Sequence, residues 1–441
     1  MSVAPVHARV LSFEDARRVV EEQAAGVQAV GTESVELLMA AGRVLAEPVP
    51  ADRDIPPFAR STRDGYAVRS ADLAQLPATL DVIGEIRAGE KAGAIPSEIG
   101  PGQAASIMTG APVPAGADAV VMVEYSTRNE GQVEIRNSVL AGENMVPRGA
   151  EARQGVLLLN CGLRLNDAAI ALAASVGKSR LEVYKRPRVA VLTTGDEIVD
   201  VNATPGATQI RNSNSYSLAV QIREAGGEPV LLAIAPDEAQ ALRRLMEEGL
   251  QADLLLVTGG VSMGRYDLVE QVLSEMGAEF FFTGAKIQPG RPVVFGRCAD
   301  PQGLKPEVFA ASSGTAEAMP SPKPTGKTNS KYFFGLPGNP VSTMVTFELF
   351  ARPMLEALSA QSPRKLAFLH ARLKSEICVK SGLRRFLPAI LSGELEQSEV
   401  ELVRWQGSGD IAATARANCY VVIPPDRERM SAGEWIAVMP R

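Results

Sequence analysis

The sequence predicts a multidomain protein of the α/β plus β class, and three observations carry this prediction. The chain has 441 residues, and a domain commonly holds roughly 100–200 residues, so we do not expect a single core. Strand-like and helix-like segments alternate over residues 188–360, which is typical of βαβ units and a parallel sheet. Short β-branched runs broken by Gly and Pro fill residues 80–135 and the tail after residue 366, which favours two small β domains.

The first segment of the chain looks helical. Ser12 suits a helix start, and apolar residues follow it at helical spacing, so we expect a helix there. A second helix is predicted over residues 35–41. Residues 47–58 carry four prolines and are expected to form an extended connector, because proline fits neither a helix interior nor a central strand.

The middle of the chain predicts a doubly wound arrangement. Its expected strands are residues 189–192, 230–233, 254–257 and 333–335, and its expected helices are residues 213–225, 238–248, 268–276 and 341–358. Three glycine-rich turns follow strands in this region, namely TTGDE (193–197), TGGVSMGRYD (258–267) and GLPGNPVS (335–342). Because ligands bind at the carboxyl ends of parallel strands, we expect these turns to converge on one site.

Two further regions complete the sequence. Residues 300–331 are rich in Pro, Ser, Thr, Gly and Lys without periodicity, and we expect their second half, residues 312–331, to be a mobile surface loop with no assigned function. The tail has strand-like runs at residues 387–391, 399–404, 419–423 and 435–438. Their spacing predicts a separate small β domain.

Composition limits the function classes. The chain is 46% hydrophobic and 22% charged, as globular proteins are, and 45 basic against 51 acidic residues give a net charge of −6. We therefore expect no nucleic-acid partner, because non-specific nucleic-acid binding depends on basic excess. No signal-peptide pattern and no run of about 18 uncharged apolar residues occurs, which predicts a cytoplasmic protein that does not bind membranes.

Histidine and cysteine are scarce. The two histidines cannot build a multi-histidine metal site, and the four cysteines form no CxxC pair, so a reduced cytosol is expected. No GxxxxGK[ST] occurs and no GxGxxG follows a strand, which excludes the usual nucleotide fingerprints. Metal or proton chemistry must then fall mainly to carboxylates.

Several acids lie in suitable turns. Asp196 and Glu197 are adjacent in the first glycine turn and Asp267 ends the second, where carboxylates could hold Mg²⁺. Asp267 also directly precedes a predicted helix, so it could be only a capping residue. Asp64 in STRDGYAVR could equally be a turn residue, and Thr109 in IMTGAP could hydrogen-bond a phosphate.

Taken together, six motifs resemble the molybdopterin molybdenumtransferase family: PPFARSTRDGYAVR, IMTGAPVPAGADAVV, VLTTGDEI, TGGVSMGRYD, IQPGRPVVFG and FFGLPGNPVS. The resemblance implies a helical linker domain with an inserted β domain, a three-layer α/β domain similar to molybdopterin adenylyltransferase, and a C-terminal β-barrel. The implied boundaries are residues 1–50 with 145–186, residues 51–144, residues 187–361 and residues 362–441.

The resemblance also implies the activity: molybdate enters adenylylated molybdopterin, AMP leaves, and molybdenum cofactor forms. The family uses magnesium and works as a homodimer, so both are expected here, together with contacts to other proteins of molybdenum cofactor biosynthesis. Two alternatives stay open. A molybdopterin adenylyltransferase would have similar TGD and GG turns, and a relative of the same architecture serves as a non-enzymatic scaffold.

Site residues follow from the same motifs. The implied catalytic residues are Asp64, Thr109, Glu197 and Asp267, of which the three acids are the expected metal ligands. The expected substrate-binding residues are Asp196, Asp237, Gly259, Gly260, Lys286, Arg291, Pro337, Gly338, Asn339 and Ser408. Many relatives have lysine where this chain has Gln288, which shifts weight for anion binding to Arg291.

Overall fold

The computed structural model describes residues 9–90, 95–260, 268–299, 330–361, 365–394 and 396–441. The chain forms two compact units. The large unit comprises Met1–Glu33, Gly42–Val44 and Val183–Arg441, and the small unit comprises Ser34–Ala41 and Leu45–Glu182. The predicted division into four domains stays a prediction.

The secondary-structure elements are numbered in chain order. The α-helices are α1 (Phe13–Ala25), α2 (Asp167–Ser175), α3 (Asn214–Glu224), α4 (Ala239–Gly249), α5 (Leu268–Glu275), α6 (Pro340–Thr346), α7 (Arg352–Leu358) and α8 (Ile411–Arg416). Strands β1 to β12 are Val10–Leu11, Thr32–Glu36, Val49–Pro50, Arg60–Ser61, Gly65–Val68, Ala78–Ile86, Gln103–Ile107, Ala119–Met122, Ser126–Asn129, Gln132–Ile135, Met145–Val146 and Leu157–Leu159. Strands β13 to β23 are Arg180–Tyr184, Arg188–Thr193, Ile198–Val199, Ile210–Arg211, Glu228–Leu231, Leu254–Thr258, Glu279–Phe282, Gly284–Ala285, Ile287–Gln288, Val294–Ala299 and Ser330–Leu336. Strands β24 to β30 are Leu369–Leu373, Ile377–Cys378, Arg384–Ser392, Glu399–Leu402, Cys419–Ile423, Arg429–Met430 and Trp435–Pro440.

The small unit contains the predicted β-rich region. Six strands form one sheet in the order β8-β5-β7-β6-β10-β9, with β6 and β7 parallel and the other neighbours antiparallel. Alternate side chains of β5 enter different apolar clusters: Tyr66 and Val68 pack in one and Ala67 in the other. Because successive side chains of a strand point to opposite faces, both faces of β5 are buried.

The predicted helix over residues 35–41 is wrong. Strand β2 ends at Glu36, and a single 3₁₀ turn, Leu37–Ala40, follows it. Leu38 and Met39 are 83% and 68% exposed, so the segment buries no apolar stripe. A short helix without such a stripe is not stable, because most helical stability in proteins comes from packing.

The large unit contains the predicted three-layer region. Its sheet has the order β17-β14-β18-β23-β22-β19, and the first four strands are parallel. Val189 and Val191 of β14 pack with α3 on one face, whereas Ala190 and Leu192 pack with α4 on the other. Strands β22 and β19 add an antiparallel edge that the sequence pattern did not predict.

Helix α1 begins where the sequence predicted. The Ser12 hydroxyl accepts a hydrogen bond from the Asp15 backbone N–H at 3.0 Å, which is a regular N-cap. Phe13, Ala16 and Val20 are buried in the same cluster as β14 and α3. The helix is thereby fixed in the core of the large unit.

The C-terminal region is a closed five-stranded barrel, which confirms the prediction. Its strands follow the order β26-β27-β24-β30-β28, and pairing of β26 with β28 closes the ring. Ala371, Val400, Val421 and Val438 point into its core. Among the helices within the described ranges, none has the length and apolar character needed to cross a membrane.

Candidate active site

A cavity of about 630 Å³ lies in the large unit at the carboxyl ends of the parallel strands. Thr193, Thr258 and Leu336 end β14, β18 and β23, and they lie side by side in register. The three glycine-rich turns leave the sheet at this common edge and contribute to one wall, as expected. The lining residues are Thr193, Thr194, Glu197, Ile198, Ile210, Arg211, Asn212, Ser213, Asn214, Thr258, Gly259, Gly260, Pro292, Pro337, Gly338, Asn339, Pro340, Gly409 and Ile411.

Close backbone approach explains the glycines of the second turn. Gly259 has a φ of +93°, and a Cβ there would lie 2.4 Å from the carbonyl oxygen of Thr194. A Cβ added at Gly338 of the third turn would lie 3.5 Å from the Cα of Gly259. At Gly259 only glycine allows this conformation and this approach without strain. The second turn can therefore lie against the first at the edge of the cavity.

A buried hydrogen-bond chain joins the turns beneath the cavity. The side-chain Nδ2 of Asn214 donates to Thr258 Oγ1 at 3.0 Å and to the carbonyl oxygen of Gly338 at 2.8 Å. Thr258 Oγ1 donates onward to the carbonyl oxygen of Pro337 at 3.2 Å. Asn214 Oδ1 is buried and has no hydrogen-bond partner among the described residues. Asn214 was not predicted as a site residue, although three polar residues at the start of a helix were a visible signal.

The adjacent acids of the first turn have different surroundings. Asp196 Oδ1 accepts from the Asp237 backbone N–H at 3.0 Å, and Asp237 Oδ1 accepts from Thr194 Oγ1 at 3.0 Å. These two acids tie the first turn to the loop before α4 and do not line the cavity. Glu197 does line it, and its exposed carboxylate has no hydrogen bond or ion pair within the described residues.

The C-terminal region contributes one loop to the cavity. Asn339 Nδ2 donates to Ser408 Oγ at 2.9 Å, and the Val341 backbone N–H donates to the Ser408 carbonyl oxygen at 3.0 Å. Ser408 thus holds the third turn in place by hydrogen bonds, whereas the nearby residues Gly409 and Ile411 line the cavity.

The two predicted basic residues lie outside the cavity lining. Lys286 and Arg291 are exposed, and the neighbouring Pro292 is the residue that reaches the wall. Arg211, which was not predicted as a site residue, lines the cavity instead. Its position after an irregular loop and in a two-residue strand left no periodic signal.

In the small unit, Asp64 and Thr109 are brought together. Asp64 Oδ1 accepts from the Thr109 backbone N–H at 2.6 Å and from its hydroxyl at 2.8 Å. The hydrogen bond from the Thr109 backbone, and after it the bond from the Thr109 hydroxyl, hold the pKa of the Asp64 carboxyl below its usual range. Gly65 lets β5 approach β8, since a Cβ there would lie 1.8 Å from the Val121 carbonyl oxygen.

Asp267 lies outside the described residues, as do residues 261–266 of the same turn. No group of three acidic, histidine or cysteine side chains that could hold a metal ion occurs in the described part of the chain. As far as the described residues go, further oxygen ligands for a metal at Glu197 would come from water or from the ligand itself. Mg²⁺ is commonly bound in this way, with one or two carboxylates and substrate phosphates.

Family models match three successive parts of the chain. Residues 11–177 match the MoeA N-terminal region (domains I and II), residues 190–357 match a probable molybdopterin-binding domain, and residues 370–440 match the MoeA C-terminal region (domain IV). The cavity turns fall within the second match. These matches define a class, multidomain proteins built around a probable molybdopterin-binding domain.

Relatives match nearly the whole chain. Molybdopterin molybdenumtransferases from a Nostoc species and from Haemophilus influenzae are each 32% identical; the first match covers 92% of this chain and 88% of the relative, the second 93% and 94%. A crystal structure of a molybdopterin biosynthesis MoeA protein from Pyrococcus horikoshii is 31% identical with a TM-score of 0.70, covering 98% of this chain and 99% of that one. The chain belongs to the molybdopterin molybdenumtransferase family, a family of transferases.

Proposed function

We propose that this protein inserts molybdate into adenylylated molybdopterin, releasing AMP and forming molybdenum cofactor. The observation that carries the proposal is the cavity at which three glycine-rich turns meet, because it lies in the part of the chain that matches a molybdopterin-binding domain. Backbone N–H groups in glycine-rich turns at strand ends suit anionic ligands. A phosphorylated pterin carries such anionic groups.

Glu197 is the proposed metal ligand of the cavity. Its carboxylate is exposed there and is used by no other described side chain. With Mg²⁺ bound, the metal would neutralise charge on the phosphoanhydride of the substrate. The residues of the cavity would hold the charged phosphoanhydride close to the glycine-rich turns. Asp267 and Asp64 remain proposed metal ligands on the family motifs alone.

The Asp64–Thr109 pair is proposed to act in turnover as well. Two hydrogen bonds keep the carboxyl charged and fix Oδ1, so Oδ2 is the oxygen left to contact a metal or a substrate group. Asp196, Asp237 and Ser408 are proposed to act through the turns that they hold. For Lys286 and Arg291 a substrate contact rests on the family motif alone.

The proposal is tested by incubating the purified protein with adenylylated molybdopterin, Mg²⁺ and molybdate while AMP is measured. AMP release that requires molybdate is the expected result. Molybdate-independent release, or none, would contradict it. Transfer of an adenylyl group from ATP to molybdopterin in a parallel reaction would favour the adenylyltransferase alternative instead.

A homodimer, a cytoplasmic location and contacts with other proteins of molybdenum cofactor biosynthesis are further parts of the proposal. The dimer and the partners rest on the motif resemblance alone, and the location rests on the composition and the N-terminal sequence. Light scattering of the purified protein tests the dimer, which should have twice the chain mass of 46.8 kDa. A mass equal to one chain would exclude it.

A further inference from the structure

Arg211 is anchored to the same turn as Glu197. Strand β16 pairs in parallel with β15, with Arg211 opposite Val199. The Ile210 backbone N–H donates to the Glu197 carbonyl oxygen at 2.8 Å. The acid and the arginine therefore line the cavity from two neighbouring, hydrogen-bonded segments, and no ion pair joins them within the described ranges.

One hydrogen bond orients the Arg211 guanidinium and leaves its terminal N–H donors without a described partner. Its Nε donates to the carbonyl oxygen of Ala203 at 3.0 Å, which fixes the side chain on the loop before β16. Its two terminal nitrogens have no partner among the described residues. Arg211 is also the only basic side chain that lines the cavity in the described part of the chain. Four N–H donors are thus free beside a cavity that has no other described cation.

A helix start lies directly after Arg211. Helix α3 has 11 residues; its N-cap Ser213 makes no side-chain hydrogen bond to the first turn, and Asn212 Oδ1 accepts from the Ser215 backbone N–H at 3.1 Å. Ser213 and Asn214 both line the cavity. The N-terminus of a helix carries partial positive charge and favours anions. The guanidinium and the helix start therefore place positive potential on the part of the cavity wall that residues 211–214 form.

We propose that Arg211 binds a tetrahedral oxyanion of the ligand with its two terminal nitrogens. A guanidinium presents paired donors that match two oxygens of such a group. The inference rests on the proposed function, which supplies two ligands of this chemistry, the phosphate of the substrate and molybdate. It assigns to Arg211 the anion-binding role that the sequence motifs suggested for Arg291.

Two Arg211 variants and one control test the inference. Arg211→Met removes the charge at similar length, and Arg211→Lys keeps the charge without the paired donors. The control is Arg244→Met, because Arg244 is an exposed arginine of α4 outside the cavity lining. The KM for molybdate is measured at saturating adenylylated molybdopterin, and the KM for the latter at saturating molybdate.

Arg211→Met should raise one of the two KM values about 10- to 100-fold, the usual range for a lost hydrogen bond to a charged group. Arg211→Lys should give a smaller rise, and Arg244→Met none. A rise confined to the KM of adenylylated molybdopterin identifies the phosphate, and a rise confined to the KM of molybdate identifies molybdate. Unchanged KM values in an active, folded Arg211→Met protein would overturn the inference.

A binding measurement keeps the test independent of turnover. If the wild-type protein releases no AMP in response to molybdate, the proposed function fails, and calorimetry with AMP and with molybdate still tests Arg211. At least one of these probes should bind the wild-type protein about tenfold more tightly than Arg211→Met. Equal binding of both probes would overturn the inference, and Arg211→Lys replaces the Met variant if the latter unfolds.

Discussion

Two regions hold acidic side chains in opposite ways. In the cavity of the large unit, Glu197 is left without a described partner, and its surroundings are built mainly from backbone turns. In the small unit, Asp64 is held by two hydrogen bonds from Thr109. The difference teaches that an acid can be prepared for function either by leaving it free at a shaped cavity or by fixing its charge locally.

Removing the charge of Glu197 should have the largest effect. Glu197→Gln should lower kcat for AMP release by roughly 10²–10³, the usual range when a group that stabilises transition-state charge is lost. The melting temperature should not change, because no described hydrogen bond of the side chain is lost. The measurement is molybdate-dependent AMP release at saturating substrates.

The neighbouring acid supplies the control for Glu197. Asp196→Asn makes the same charge change one residue away, and the amide oxygen can still accept from the Asp237 backbone N–H. It should lower kcat far less. Equal losses in the two variants would break the distinction between the free acid and the structural acid.

The second-largest effect should be a loss of stability when a side chain is added to the second glycine-rich turn. Gly259→Ala places a methyl group 2.4 Å from the Thr194 carbonyl oxygen at a φ of +93°. The strained backbone alone costs about 1–3 kcal/mol, and the clash adds to it. Urea unfolding followed by circular dichroism measures the loss.

A second glycine separates the two causes. Gly277 has a φ of +78°, but a Cβ there would meet nothing within 4 Å. Gly277→Ala therefore carries only the backbone cost, and it should destabilise the protein less than Gly259→Ala. The same loss of stability in both variants would show that the close approach of the turns does not matter.

The smallest effect should come from the Asp64–Thr109 pair. Thr109→Val removes the hydroxyl bond but keeps the backbone N–H, so the pKa of Asp64 should rise toward its ordinary value. A lowered pKa means that the charged form is favoured in the folded protein. The stability gained this way is present above the unfolded pKa and is lost as pH falls through the folded pKa. In the variant this contribution should be smaller, and its loss should be complete at a higher pH.

Carboxyl-carbon NMR titration of Asp64 measures this shift. Thr109→Ser keeps both donors and should titrate like the wild-type protein. A titration midpoint that is the same in Thr109→Val and Thr109→Ser would contradict the contribution of the hydroxyl bond.

The sequence was informative where strands and turns alternate. Apolar runs before the glycine turns predicted strands that end at residues 192, 257 and 335, and each strand ends one residue later in the structure. The turns meet because parallel strands share one carboxyl edge. The strand-like runs of the tail predicted a small β domain, and the family resemblance implied that it is a barrel. The antiparallel pair β19 and β22 was not predicted, because β19 is a run of only four residues, EFFF, without alternation, and Gly296 interrupts the apolar run of β22.

Individual site residues were harder to predict, because their roles depend on local geometry. Asp196 and Glu197 are adjacent acids, yet Asp196 accepts a hydrogen bond from the loop before α4 whereas Glu197 lines the cavity. Motif spacing singled out Arg291, whereas the fold brings Pro292 to the cavity and places Arg211 on its wall. Such placements depend on contacts between distant segments, which a local pattern does not contain.

Hydrogen exchange tests the central claim, that the three turns together form the substrate site, most directly. Exchange rates of backbone amides are compared in the wild-type protein with and without bound adenylylated molybdopterin. Slower exchange in all three segments 193–197, 258–260 and 335–342 of the large unit is the expected result. Unchanged exchange in these segments, with the ligand bound, would contradict the claim.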